Sequence, residues 1–103
     1  MDRRLKEIIN KNSELRERVE REAWSVNYNK KADMIIMGGD FPVNTSYYPV
    51  GDTGVMIRID KDEKIYGFAI ENVKFFMKKN PSLNNIKNIF AISDYVAGKA
   101  VYC

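Results

Sequence analysis

Between Trp24 and Val73 the chain reads as strands joined by tight polar turns, and this segment fixes the fold class. Trp24, Val26 and Tyr28 alternate with polar neighbours, and Met34 and Ile36 follow beyond a turn at Lys30 and Lys31, so residues 24–37 form one β-hairpin. Gly38-Gly39-Asp40-Phe41-Pro42 breaks the second strand, leaving residues 40–46 as a loop. Ser46 to Val50 reads as a short strand that Pro49, lacking a ladder donor, places at an edge or end. After the turn Gly51-Asp52-Thr53-Gly54, Val55, Ile57 and Ile59 point to one side while Met56 and Arg58 point to the other. Asp60-Lys61-Asp62-Glu63 connects to a return strand over Lys64–Glu71, in which Gly67 marks a bulge or the close approach of a neighbour.

Helices flank these strands. Leu5, Ile8, Asn12, Leu15 and Val19 recur at a three-four spacing, which predicts one amphipathic helix over residues 3–22. The same positions fit a short heptad with Asn12 in a core slot, although a helix lying on the sheet with Asn12 near the edge accounts for them better. Beyond the sheet, Asn72 is placed to cap a helix that buries Val73, Phe76 and Met77 and turns Phe75 outward, and Asn80-Pro81 stops it. Ser82 is placed to cap another, carrying Leu83, Ile86, Ile89 and Phe90 inward, with Ser93–Tyr102 as a helical or irregular tail. The expected fold is α+β, a four- or five-stranded antiparallel meander of hairpins with helices on one face. One domain spans residues 1–103: a helix over about 3–22, the sheet over about 24–71 and helices over about 72–100. Its core gathers Trp24, Tyr28, Ile36, Val55, Ile57, Ile70, Val73 and Phe76 against Leu5, Ile8 and Leu15.

A chain of 103 residues supports one modest core. No apolar run reaches the roughly 20 residues of a membrane span, and the basic start has no apolar stretch behind it, so a cytoplasmic location is expected. The net charge is only +3, and residues 1–23 alternate seven basic with six acidic side chains, the pattern of a solvated helix face. Cys103 is the single cysteine, so no internal disulfide or cysteine-based zinc cage forms.

Two stretches, Tyr28-Asn29-Lys30-Lys31-Ala32-Asp33-Met34-Ile35-Ile36-Met37 and Gly54–Glu71, resemble the paired hairpins of a small prokaryotic family of unknown function. Its members read roughly Tyr-Asp-x-x-Ala-Asp-x-Leu-Tyr-Ile and, later, a hairpin closing on Gly-Ile-Glu. Asn29, Arg58 and Glu63-Lys64 depart from that pattern, and the N-terminal helix and the chain past Met77 lie outside it. The resemblance implies a short antiparallel sheet backed by a helix, no established catalytic residues, and accessory or partner proteins, some similar to the antitoxin half of toxin pairs.

The search for chemistry gives mostly exclusions. Without histidine, every Ser-His or Cys-His nucleophile and every histidine metal site is absent. Asp52-Thr53-Gly54 is similar to the half-site of a dimeric aspartic protease, but the apolar strand that should lead into the Asp is replaced by Pro49-Val50-Gly51, and a β-turn is the better reading. Asp60-x-Asp62 begins like a calcium loop, yet Ile65 stands where glycine is required. Asp33 heads an apolar strand and is a candidate for a fixed role, most simply a bond to the backbone of the Tyr28–Lys31 turn. No cofactor or metal is expected.

The leading expectation is therefore a non-enzymatic interaction module, a homodimer or a partner of another protein. Tyr47, Tyr48 and Phe75 are interface candidates, as are Leu5 and Leu15 on the N-terminal helix, because aromatic residues concentrate at interfaces. The alternative is a nucleic-acid-binding protein that uses Lys74, Lys78 and Lys87. An enzyme of small substrates with Asp33, Asp40 or Asp52 as base ranks third.

Overall fold

The computed structural model describes residues 3–40, 42–83 and 88–102. Five strands, β1 (Ser25–Asn29), β2 (Met34–Gly38), β3 (Ser46–Pro49), β4 (Val55–Ile59) and β5 (Ile65–Ile70), form one antiparallel sheet. The strands lie in the order β1-β2-β5-β4-β3. The expected hairpins all form, but β3, β4 and β5 fold back so that β5, not β3, lies beside β2. Burial explains the choice, because β5 is the most completely buried strand and takes the centre. Pro49 lies on the edge strand β3, as its missing donor requires.

Helices α1 (Arg3–Lys11), α2 (Leu15–Arg21), α3 (Val73–Lys79) and α4 (Ile89–Tyr102) accompany the sheet. The expected single helix over 3–22 is two, and Asn12 breaks it. Its Nδ2 donates to the Ile8 carbonyl at 2.6 Å, displacing the backbone bond that would continue the helix, while its own N–H falls back to Ile9 O. The same side chain donates to Glu63 O and accepts from Ile65 N at 2.8 Å. Asn12 is thus the buried tie between α1 and the β4–β5 hairpin, with no coiled-coil role in this fold.

The register settles which side chains enter the core. Val26 pairs with Met37, Tyr28 with Ile35, and Ile35 with Ile70, so Ile35 and Met37 share a face with Phe68, Ile70, Val55 and Ile57. Ile36, expected in the core, points the other way at 42% exposure, and Tyr28 lies at the uncovered end of the core face at 37%. The run Met34-Ile35-Ile36-Met37 is apolar at every position and carries no alternation to read, so only the hairpin register decides. Leu5, Ile8, Leu15, Trp24, Phe76, Ile92 and Val96 complete the core from the helices and the chain leading into β1. Trp24 packs against Phe68 and Phe76 against Tyr95, with ring centroids 6.3 and 5.4 Å apart.

Two helix starts differ from expectation. Asn72 has φ 52° and makes no side-chain cap, and Met77 is half exposed. The N-terminus of α4 is capped by Asn88, whose Oδ1 accepts from Phe90 N at 2.9 Å, not by Ser82. Ile86, expected inward, lies outside the described residues. No helix among the described residues is long and apolar enough to cross a membrane.

Candidate interaction surface

All four helices contribute to the core on one face of the sheet, and on the opposite, more open face Ser25, Asn27, Ile36, Tyr47 and Pro49 are exposed while Gly67 and Ala69 at its centre are buried. The pairing register lays its side chains out in rows. One row runs Ser25, Gly38, Gly67, Arg58, Tyr47 across the five strands; the next runs Asn27, Ile36, Ala69, Met56, Pro49. Only Arg58 carries a charge among these ten residues. Its Nε donates to Thr45 Oγ1 at 2.8 Å and its guanidinium lies 4.8 Å from the centre of the Tyr47 ring.

The first row is asymmetric in bulk. Gly38 and Gly67 sit side by side because β2 and β5 approach too closely for side chains: a Cβ on Gly38 would lie 2.7 Å from the Tyr66 carbonyl oxygen, and one on Gly67 would run into the Met37 carbonyl. The register shifts beside Gly67, between Arg58 and Ile59, which makes Tyr66 the extra residue of the expected bulge. Together these features leave a groove of about 140 Å³ on the open face, bordered by Ser25, Ile36, Gly38, Tyr47, Arg58 and Tyr66.

Of the expected interface residues, only some lie on a surface. Tyr47 is on the open face at 37% exposure. Tyr48 is on the core face, half-buried beneath the Arg4 guanidinium at 4.9 Å. Leu5 and Leu15 are spent in the core at 1% and 6% exposure, which removes them as dimer contacts: the apolar stripe of the N-terminal helices is what covers the sheet. Phe75 is exposed on α3 with Lys79 Nζ 4.9 Å from its ring centre. Lys74 and Lys78 are exposed on the same helix, whose Val73 and Phe76 enter the core, and neither borders the groove; Lys87 lies outside the described residues, as does Cys103.

Of the aspartates singled out by the sequence, Asp33 and Asp60 hold backbone groups, and Asp52 occupies a turn that Thr53 holds. Asp33 has φ 52°, accepts the Tyr28 O–H at 3.0 Å on Oδ1 and Lys74 N at 3.1 Å on Oδ2, and its carbonyl accepts Val73 N. It therefore caps α3 in place of Asn72. Asn29, not Asp33, holds the hairpin turn, by accepting from Ala32 N. The bond to Asp33 holds the Tyr28 phenol above its ordinary pKa. Asp52 sits in the turn closed by Thr53, whose Oγ1 donates to Val50 O at 2.6 Å and accepts from Val55 N. Asp60 forms an Asx-type turn: partial burial works to raise its pKa, but bonds from Lys64 N, Asp62 N and the Tyr66 O–H prevail and lower it.

Two charged groups escaped the sequence reading. Arg18 is buried, with its side chain 8% exposed; its Nε bonds Glu22 and its guanidinium lies between the Trp24 and Tyr66 rings, 5.9 and 5.6 Å from their centres. Its buried Nη2 has no hydrogen-bond partner among the described residues. Glu63 accepts Arg4 Nε at 3.0 Å and Lys11 Nζ at 2.7 Å, locking α1 onto the hairpin turn. No local pattern announces either. A groove of about 430 Å³ beside them carries Lys11, Arg18, Arg21 and Lys64 but also Glu14 and Asp62, with Glu63 and Glu22 bonded to two of the cations, so it is not a concentrated anion site. No cluster of three acidic, cysteine or histidine side chains able to hold a metal occurs among the described residues.

No family model, no curated protein and no solved structure matches the chain.

Proposed function

We propose that this protein is a non-enzymatic interaction module that works as a homodimer. The observation that carries the reading is the open sheet face, where Ile36, Tyr47 and Tyr66 border a groove and a single cation serves two complete rows. An exposed apolar patch rimmed by polar residues is the signature of a protein contact. A nucleic-acid surface needs several cations beside its aromatic rings, and Lys74 and Lys78 stand elsewhere. Of the three expected bases, Asp33, Asp40 and Asp52, the first is committed to structure by its bonds to Tyr28 and Lys74. The resemblance of the hairpins to accessory proteins points the same way.

Sedimentation of the full chain over a range of concentrations tests this. The expected species has twice the monomer mass of 12.0 kDa at high micromolar concentration. A chain that stays at the monomer mass there overturns the homodimer.

A further inference from the structure

Folding gathers the net charge of this chain at one end. Residues 29–33 and 71–79 hold Lys30, Lys31, Lys74, Lys78 and Lys79 against Asp33 and Glu71, which amounts to the whole net charge of +3 and leaves the other residues with twelve charges of each sign. The two stretches are about forty positions apart, and Asp33 joins them: its carbonyl accepts Val73 N at 3.0 Å and its Oδ2 accepts Lys74 N at 3.1 Å. All five lysines are exposed, and Lys30, Lys31, Lys74 and Lys78 make no ion pair or side-chain hydrogen bond among the described residues. Every exposed position of α3 is lysine, phenylalanine or methionine. Phe75 and Met77 stand at 53% and 50% exposure on the two flanks of the ridge formed by Lys74 and Lys78. We propose that this end of the molecule, the β1–β2 turn together with α3, docks on the surface of an anionic lipid bilayer. The lysines meet the headgroups, and Phe75 and Met77 enter the boundary with the acyl chains.

Residue type selects a bilayer over a macromolecule. Protein contacts are enriched in arginine and poor in lysine, and this end has five lysines and none of the six arginines of the chain. Lysine is a compact, strongly hydrated charge on a flexible stem, which needs no partner of fixed geometry. An anionic leaflet attracts such charges one by one. Single-stranded nucleic acid is held by bases stacked on open aromatic rings, whereas Phe75 is the one exposed ring of α3 and already carries Lys79 Nζ 4.9 Å from its centre. A fluid layer takes up Phe75 and Met77 without a pocket shaped to them.

The number of lysines sets the strength. Each one close to an anionic leaflet raises binding about fivefold, so the two of the turn or the three of the helix alone hold the chain weakly, and the five together hold it appreciably. Docking is therefore reversible, salt-dependent and shared between two elements that only the fold brings together. It places the chain on a membrane without spanning it. The contact between copies at the open sheet face is a separate matter, and nothing here depends on it.

Cosedimentation of the full chain with vesicles tests this. Vesicles of equal parts phosphatidylserine and phosphatidylcholine are expected to bind it at about 0.05 M salt and release it at about 0.5 M, and vesicles of phosphatidylcholine alone to leave it in solution. Lys31→Glu in the turn and Lys74→Glu on the helix should each weaken binding about tenfold or more, since each removes an attraction and adds a repulsion. Lys61→Glu changes the net charge equally but lies in the β4–β5 turn, at the opposite end of β5, and should leave binding within about twofold. Phe75→Ser should weaken binding several-fold and leave its salt dependence unchanged. Circular dichroism confirms that each variant folds. A chain that ignores the phosphatidylserine vesicles overturns the proposal, and if it binds polyuridylate instead, the lysines serve nucleic acid. Binding that Lys61→Glu weakens as much as Lys74→Glu, or that Lys31→Glu leaves intact, also overturns it, because the attraction would then not belong to the two joined elements.

Discussion

Asp33 works through three groups from one left-handed position. Its carboxylate receives the Tyr28 hydroxyl and the Lys74 amide, and its carbonyl receives the Val73 amide, so one residue at the end of the first hairpin fixes where α3 begins. The residue type was legible, since an acidic side chain heading an apolar strand is unusual; its helix partners Val73 and Lys74 were not, because they lie about forty positions away and meet it only once β5 has been inserted beside β2. The φ of 52° separates two contributions. Asp33→Gly loses the cap but relieves the backbone, whereas Asp33→Ala loses the cap and keeps a conformation that costs a residue with Cβ about 1 kcal/mol. We expect destabilisation of about 1 kcal/mol for the glycine variant and about 2 kcal/mol for the alanine variant, measured by urea unfolding. Equal losses would show that the position carries no strain. In Asp33→Asn the Tyr28 phenol should titrate closer to its ordinary value, read by ultraviolet absorbance, since the carboxylate bond is what raises it.

Among the elements, β2 and the N-terminal helices show what periodicity reaches and where it stops. Strand β4 alternates apolar with polar, so its core face, Val55, Ile57 and Ile59, was legible; β2 is apolar at four successive positions, and its facing depends on a hairpin register that the sequence does not print. The core variants separate the two faces. Ile57→Ala and Ile35→Ala should each cost about 2 to 4 kcal/mol through cavity formation, while Ile36→Ala, on the open face, should cost under about 1 kcal/mol in the monomer. Comparable losses at positions 35 and 36 in denaturation curves would contradict the register. The helix stripe is likewise legible as a core face, and its interruption is not, because Asn12 sits in phase with Leu5, Ile8 and Leu15. What breaks the helix is a tertiary need: Ile65 N and Glu63 O require partners, and Asn12 supplies both. Asn12→Ala leaves those buried groups unsatisfied and should cost about 2 kcal/mol, whereas Asn12→Asp keeps an acceptor for Ile65 N but loses both Nδ2 bonds. Amide exchange at Ile65 is the direct readout, expected to accelerate in the alanine variant ahead of the rest of β5.

At the scale of the whole molecule, a small set of carboxylates joins pieces that also meet in the apolar core. Glu63 ties Arg4 and Lys11 of α1 to the β4–β5 turn, Asp60 closes that turn and holds Tyr66, and Glu22 accepts from Trp24 and Arg18 where α2 meets the sheet. All three have pKa values lowered in the folded state. The side-chain bond from Lys11, then that from Arg4, lowers Glu63; the bond from the Trp24 indole outweighs burial and, with Arg18, lowers Glu22; and the backbone and Tyr66 donors overcome the burial of Asp60. A folded value below the unfolded one means that the unfolded chain binds protons first as the solution is acidified. The stabilisation is complete above the ordinary values of 4.5 for glutamate and 3.8 for aspartate, and it drains away as pH falls through them toward the lower folded values. The melting temperature should therefore be level from neutrality down to about pH 5 and then fall steeply. In Glu63→Gln, which leaves the positive φ of 65° to a side chain of the same shape, the plateau should drop slightly and the acid fall should become shallower. The plateau loss stays small because Arg4 and Lys11 are more than half exposed, and solvent screens both pairs. A variant whose melting curve tracks the unaltered protein at every pH would show that the clamp between α1 and the hairpin is held by Asn12 alone.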